Sequence, residues 1–174
     1  WDGFEMAVRG VLGQQVSVER GTELANKMIA LYGGGYFPTA IELRDRDIAE
    51  LGMPGQRARA IASLAHEVIA ERLLLDDCQD YDSIQTQLQS VRGIGPWTAN
   101  YIRMRVLKDA DAFPDNDWVV LKTLDCTPAQ ARKRAQVWAP WRAYGLMYLW
   151  FASATIRAQA KVKRAQTKNA SSAS

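Results

Sequence analysis

Apolar residues recur along this chain at spacings of three and four, and no stretch alternates with period two, so the pattern predicts an all-α protein. Its helices are several and short. Phe4, Val8 and Val11 line one face of a first helix that ends near Gly13; Leu24, Met28, Leu31 and Tyr32 line a second that stops at Gly33-Gly34-Gly35. Between them, Gln14-Gln15-Val16-Ser17 forms a break from which polar side chains project at a helix junction. One or two short helical turns are expected between Ile41 and Leu51, then a longer helix from Gly55 with Ile61, Leu64, Ala65, Val68 and Ile69 on one face. Asp80-Tyr81-Asp82 offers caps. Ile84, Leu88 and Val91 mark the first helix of a hairpin, Gly93-Ile94-Gly95 its turn, and Pro96 to Leu107 its second helix. A weak echo of that hairpin stands at Leu51-Gly52-Met53-Pro54-Gly55. Trp118 to Leu124 is apolar and helical, Thr127-Pro128 is an N-cap and N1 pair for the next helix, Trp138-Ala139-Pro140-Trp141 breaks it, and Tyr144 to Ala154 forms a last apolar helix. Beyond about Ile156 the Lys, Gln, Ser and Ala composition favours a frayed helix end or disorder. The expected organisation is one domain over 1–156, of two helical lobes that the sequence does not separate, and a basic, disordered tail over 157–174.

The chain has 174 residues, 48% of them hydrophobic, enough for one good core or for one core split into two lobes around a cleft. No run approaches the roughly 18 consecutive apolar residues of a membrane-spanning helix, and Trp1-Asp2-Gly3-Phe4 lacks the basic and apolar regions of a signal peptide, so neither a span nor secretion is expected. A start on Trp rather than Met predicts a shortened protein. Cys78 and Cys126 are two cysteines far apart, unsuited to a zinc or iron-sulfur site, and they fit a reducing, cytoplasmic setting. His66 is the single histidine, which leaves little material for zinc hydrolysis or for a Ser-His or Cys-His nucleophile pair. The formal charge of +3 looks like a nucleic-acid signal until the charges are located. From residue 157 onward Arg157, Lys161, Lys163, Arg164 and Lys168 face no acid in sequence, which leaves seventeen basic against nineteen acidic residues upstream. A nucleic-acid reading therefore rests on placed groups, not on bulk charge.

The most informative of those groups is Gly93-Ile94-Gly95-Pro96-Trp97-Thr98-Ala99. Taken alone, Gly-x-Gly between two helices reads equally as a tight turn with a C-cap glycine. Apolar Val91 and Ile94, Pro96 in the first turn and Thr98-Ala99 after it specify a compact helix-hairpin-helix, whose backbone N–H groups and positive helix end could hold a DNA phosphate through Gly93, Gly95 and Thr98. The same loop could offer the carbonyl oxygens of Gln89, Val91 and Ile94 to a monovalent cation, Na+ or K+.

Asp117 lies 22 residues after Gly95, far enough to clear the intervening helix and turn back to the same ligand. Asp115 and Asp117 both follow Pro114 and precede an apolar helix, so either can be an N-cap; Asp115, nearer the proline, is the better cap candidate, and Asp117 begins the helix beside Trp118. A carboxylate beside an aromatic wall suits cleavage of a base–sugar bond, where it stabilises the positive charge growing on the sugar or activates water. Ordinary glycosidases pair two carboxylates, because one must protonate the leaving oxygen. No convincing second acid accompanies Asp117. A single acid makes chemical sense for a base that is already cationic, as an N-alkylated purine is, and such a base would be held between electron-rich rings. Trp97, Tyr101, Trp118 and Trp150 are the candidate rings, with Tyr144 and Phe151 behind, and plain core packing is the competing explanation for each.

These motifs resemble the helix-hairpin-helix DNA glycosylases, and within them the 3-methyladenine DNA glycosylase II group. Val8 to Val18 is similar to that family's opening helix and wedge loop, Gly93 to Tyr101 to its hairpin, Asp111 to Trp118 to its catalytic segment, and Trp138 to Arg142 with Trp150 to its closing helices. The resemblance implies a two-lobed helical fold with a central cleft and no organic cofactor. It implies Asp117 as the catalytic carboxylate and Gln15 as the side chain filling the gap left by a flipped nucleotide, in a monomer acting on duplex DNA. Trp97, Tyr101, Trp118, Trp150 and Gln14 would surround the extruded base. Strand-nicking members place a Lys where Trp97 stands, for a Schiff base with the sugar, so the resemblance implies a monofunctional enzyme. Iron-sulfur members carry four clustered cysteines, which this chain lacks. Members of that family often carry an additional N-terminal domain, whereas this sequence opens directly on the first glycosylase helix. Two other readings remain open: a hairpin DNA-binding module without catalysis, and a glycosylase for a neutral base, for which Gln14 and Asn116 are the amides at hand.

Overall fold

A computed structural model describes residues 2–75 and 80–171, with the side chains of Arg157 and of residues 161–171 excepted; Cys78 and residues 172–174 lie outside that description. The described residues contain helices, turns and loops and no strand, as the spacing of apolar positions predicts. The chain divides into two compact units, Trp1–Ala112 and Phe113–Ser174. Charge divides with it. The first unit carries twelve Lys and Arg against sixteen Asp and Glu, and the second carries ten against three.

In the first unit, α1 (Gly3–Leu12) is buried through Phe4, Ala7, Val8, Val11 and Leu12 and packs against α2 (Val18–Tyr32). Asp2 caps α1 by accepting from the Phe4 N–H, and Ser17 caps α2 by accepting from Arg20. Leu24 and Met28 of α2 are buried, but Leu31, expected on the same face, is half exposed. The expected short turns are α3 (Ala40–Leu43), held by a reciprocal Thr39–Glu42 capping box, and a 3-10 turn at Ile48–Leu51. Thr39 N–H and hydroxyl both donate to Glu42 and hold its carboxyl below the usual carboxylate range. The longer helix α4 (Gly55–Ile69) buries Ala58, Ala60, Ile61, Leu64 and Ala65 against α1 and α3. Then come α5 (Tyr81–Ser90), capped by Asp80, and α6 (Pro96–Arg105), which packs on α5 and α1 and ends two residues before the expected Leu107. Beyond α6, the buried Asp109 pairs with the guanidinium of Arg103 in that helix at 2.6 Å.

In the second unit, α7 (Trp118–Leu124) packs against α8 (Pro128–Ala135) and α9 (Arg142–Ser171). Thr127 and Gln130 form the capping box of α8, with Pro128 at its first position. A 3-10 turn at Gln136–Trp138 carries the chain to α9. The start of α9 lies close against Trp138: a Cβ on Gly145 would stand 2.7 Å from that indole. The backbone of α9 stays helical through residues 157–171, where the sequence predicts fraying or disorder. No helix among the described residues is long and apolar enough to cross a membrane.

Candidate functional site

The predicted site residues fall into two groups, one in each unit. In the first unit, α5 ends at Ser90, and the chain turns through Val91 and Ile94, both buried, into α6. Gly93 makes the turn with φ +91°, and a Cβ there would stand 2.6 Å from the Cβ of Ala60 on α4; both conformation and space require glycine. Gly95 then caps α6 without a side chain, ahead of Pro96. The first intrahelical bond is Ala99 N–H to Gly95 O at 2.9 Å, so the amides of Trp97 and Thr98 belong to the first turn, which no i−4 carbonyl can serve. Such an end favours an anion.

Gln14 is tied to this hairpin. Its Nε2 donates to Gly93 O at 3.2 Å and to Thr98 Oγ1 at 2.8 Å. Its Nε2 therefore braces the turn, and the buried Thr98 hydroxyl is part of the same brace. Gln15 is exposed and has φ +55°, in the left-handed region that a residue with a Cβ rarely adopts. Strain of this kind costs of order 1 kcal/mol or more and persists where surrounding structure enforces it.

Trp97 and Tyr101, one turn apart on α6, stack with ring centroids 5.5 Å apart and planes 18° from parallel. Gly10 of α1 makes room for this pair: a Cβ there would lie 2.9 Å from the Tyr101 ring. The glycine in Arg9-Gly10-Val11 is the signal in the sequence for that contact, which the helical pattern alone does not reveal.

In the second unit, the expected cap of α7 is corrected. Asp117 N–H bonds Pro114 O at 2.9 Å, so Pro114 to Asp117 form a turn and the helix begins at Trp118. Asp117 is thereby the N-cap, its Oδ1 accepting from Val120 N–H at 2.9 Å, while Asp115 pairs with Arg132 of α8 at 2.5 Å. Asp117 is only 4% exposed. The same Oδ1 accepts from the indole Nε1 of Trp150 on α9 at 3.2 Å, so two donors fix the carboxylate plane. Trp118 is exposed, with Lys122 Nζ 4.8 Å from its ring centroid. Tyr144 and Phe151, expected behind the pocket rings, are exposed, and Tyr144 meets Trp141 edge to face.

A buried carboxylate with its plane fixed, a braced hairpin with an anion-seeking helix end, and a stacked aromatic pair are the parts on which the sequence places the chemistry. No family model matches the chain. Among curated proteins it is 36% identical over 162 residues to DNA-3-methyladenine glycosylase 2 of Escherichia coli, covering 86% of this chain and 57% of that protein. It is 35% identical over 164 residues to a probable bifunctional transcriptional activator/DNA repair enzyme AlkA of Mycobacterium tuberculosis, covering 86% of this chain and 33% of that one. The chain thus spans about half or less of these two relatives. Among solved structures it is similar to a Schizosaccharomyces pombe 3-methyladenine DNA glycosylase in complex with abasic DNA, with TM-score 0.75 and 24% identity over 85% of this chain and 79% of that one. By sequence and by fold, the chain belongs to the helix-hairpin-helix DNA glycosylases, in their 3-methyladenine glycosylase group.

Proposed function

We infer that this chain carries the catalytic part of a monofunctional DNA glycosylase, which hydrolyses the N-glycosidic bond of alkylated purines in duplex DNA during base excision repair. The observation that carries the reading is Asp117, a buried carboxylate whose Oδ1 is held by Val120 and Trp150. As the C1′–N bond breaks, its electron pair leaves with the base and positive charge grows on the sugar. A fixed anion stabilises that charge without having to reorganise, and it can accept a proton from the water that completes C1′. A cationic purine leaves as a neutral base, so no general acid is needed.

The target must leave the helix stack for this to happen, at a cost of a few kcal/mol. Gln15, exposed and strained between α1 and α2, supports a role as the residue that fills the vacated gap. In the first unit the stacked Trp97 and Tyr101 support stacking with a flipped base; in the second, Trp118 and Trp150, which adjoin Asp117, support the same role. Trp97 also has no amine, which supports release of a free base without strand cleavage.

The hairpin would hold backbone phosphate through Gly93, Gly95 and Thr98. A monovalent cation on the carbonyls of Gln89, Val91 and Ile94 fits the same turn. Val91 O accepts the Ile94 N–H at 3.0 Å, and a carbonyl oxygen has a second lone pair for the ion. Duplex affinity measured with Na+ or K+ replaced by tetramethylammonium tests it, and equal affinity removes the cation. A monomer in a reducing cytoplasm completes the proposal, and the free thiol of Cys126 accords with it.

The decisive experiment is base release from methylated duplex DNA. Asp117→Asn is expected to lose release while keeping most affinity for the duplex; equal activity in variant and parent sinks the assignment.

A further inference from the structure

Lys122 stands one turn after Trp118 on α7 and places Nζ 4.8 Å from the centre of the indole ring. Both side chains line an open cavity of about 420 Å³ with Asp125, Thr127 and Gln130. Among the described residues Lys122 takes part in no ion pair, so the ring is its one marked partner. The ammonium is attracted by the negative face of the indole quadrupole. A cationic purine stacked on Trp118 would draw on the same property. On the occupied face, the base must displace the ammonium. On the opposite face, two positive charges lie across one ring, and each weakens the other's attraction. A neutral base stacks by dispersion and area, which Lys122 leaves almost untouched.

We propose that Lys122 is a specificity-determining residue, whose charge on Trp118 lowers the preference for cationic over uncharged damaged purines. This rests on the reading that Trp118 faces the extruded base. The residue acts through the ring and through charge, so an uncharged side chain of similar length should unmask it.

The test is single-turnover base release, at saturating protein, from duplexes containing either N7-methylguanine, a cation, or hypoxanthine, a neutral base. Lys122→Met is expected to raise the N7-methylguanine rate relative to hypoxanthine by about two- to fivefold, the range of a cation–π contact at an exposed site. Lys122→Arg should keep the parent ratio. In a Trp118→Ala background, Lys122→Met should leave the ratio unchanged. An unchanged ratio in Lys122→Met, or the same rise without the indole, overturns the proposal and leaves the glycosylase reading intact. A parent protein that binds duplex and releases neither base defeats the glycosylase reading and the proposal together.

Discussion

Trp150 and Asp117 meet through a hydrogen bond, indole Nε1 to carboxylate Oδ1 at 3.2 Å, across 33 residues of sequence. The oxygen that receives it also receives the first-turn amide of Val120. One carboxylate therefore has a structural task, capping α7, and under the proposed function a chemical one.

Two substitutions separate those tasks. Asn caps a helix about as well as Asp, so Asp117→Asn should unfold near the parent's urea midpoint while losing base release. Asp117→Ala should lose release and also about 1 kcal/mol of stability, the usual worth of an N-cap side chain. Equal destabilisation by Asn and Ala would mean that the cap contributes nothing.

Trp150→Phe keeps an aromatic ring and deletes the N–H. A hydrogen bond to a charged group contributes about 1.5–3 kcal/mol, so a loss at the lower end of that range is expected for this half-buried pair, together with slower base release at saturating protein. Urea unfolding and single-turnover rates read the two effects; a variant that matches the parent in both would make the contact incidental.

The brace on the hairpin predicts coupling. Gln14→Ala and Thr98→Val each break the 2.8 Å bond between them, so the double variant should cost less than the two single losses combined, by about 0.5–1.5 kcal/mol. Strict additivity in a double-mutant cycle would dissolve the brace.

Gly93→Ala meets two obstacles, a positive φ and a contact of 2.6 Å with Ala60. A left-handed residue with a Cβ costs about 1–2 kcal/mol and overpacking a further 1–3. Ala60→Gly in the same chain should recover the steric part and leave the conformational part, visible as partial recovery of the urea midpoint. Full recovery would show that φ at this turn is not limiting.

Much of this architecture was legible in the sequence because caps and turns are local. Asp80, Thr127-Pro128 and Gly93-Ile94-Gly95-Pro96 each act within a few residues, and each does what its spacing predicts. Asp117 rather than Asp115 caps α7 because closeness to Pro114 does not fix helix phase; the turn from Pro114 to Asp117 does. The brace made by Gln14 is not legible in the sequence for another reason. A side chain at a helix junction can point several ways, and its partners on Gly93 and Thr98 lie 79 and 84 residues away. The division at Ala112 and Phe113 and the helical reach of α9 to Ser171 follow from packing and backbone that no composition window reports.

The uneven distribution of charge has a consequence for measurement. After Asp125 the sequence contains no Asp or Glu, and the second unit contains no His. Between roughly pH 5 and 7.5 the Lys and Arg of that stretch stay charged and it holds no Asp, Glu or His to titrate, so its positive field is nearly constant across that window. Any attraction it exerts on a polyanion should then respond steeply to added salt and hardly at all to acidity. A pH-dependent change in duplex affinity would have to originate elsewhere in the chain, and a titration at fixed ionic strength would separate the two.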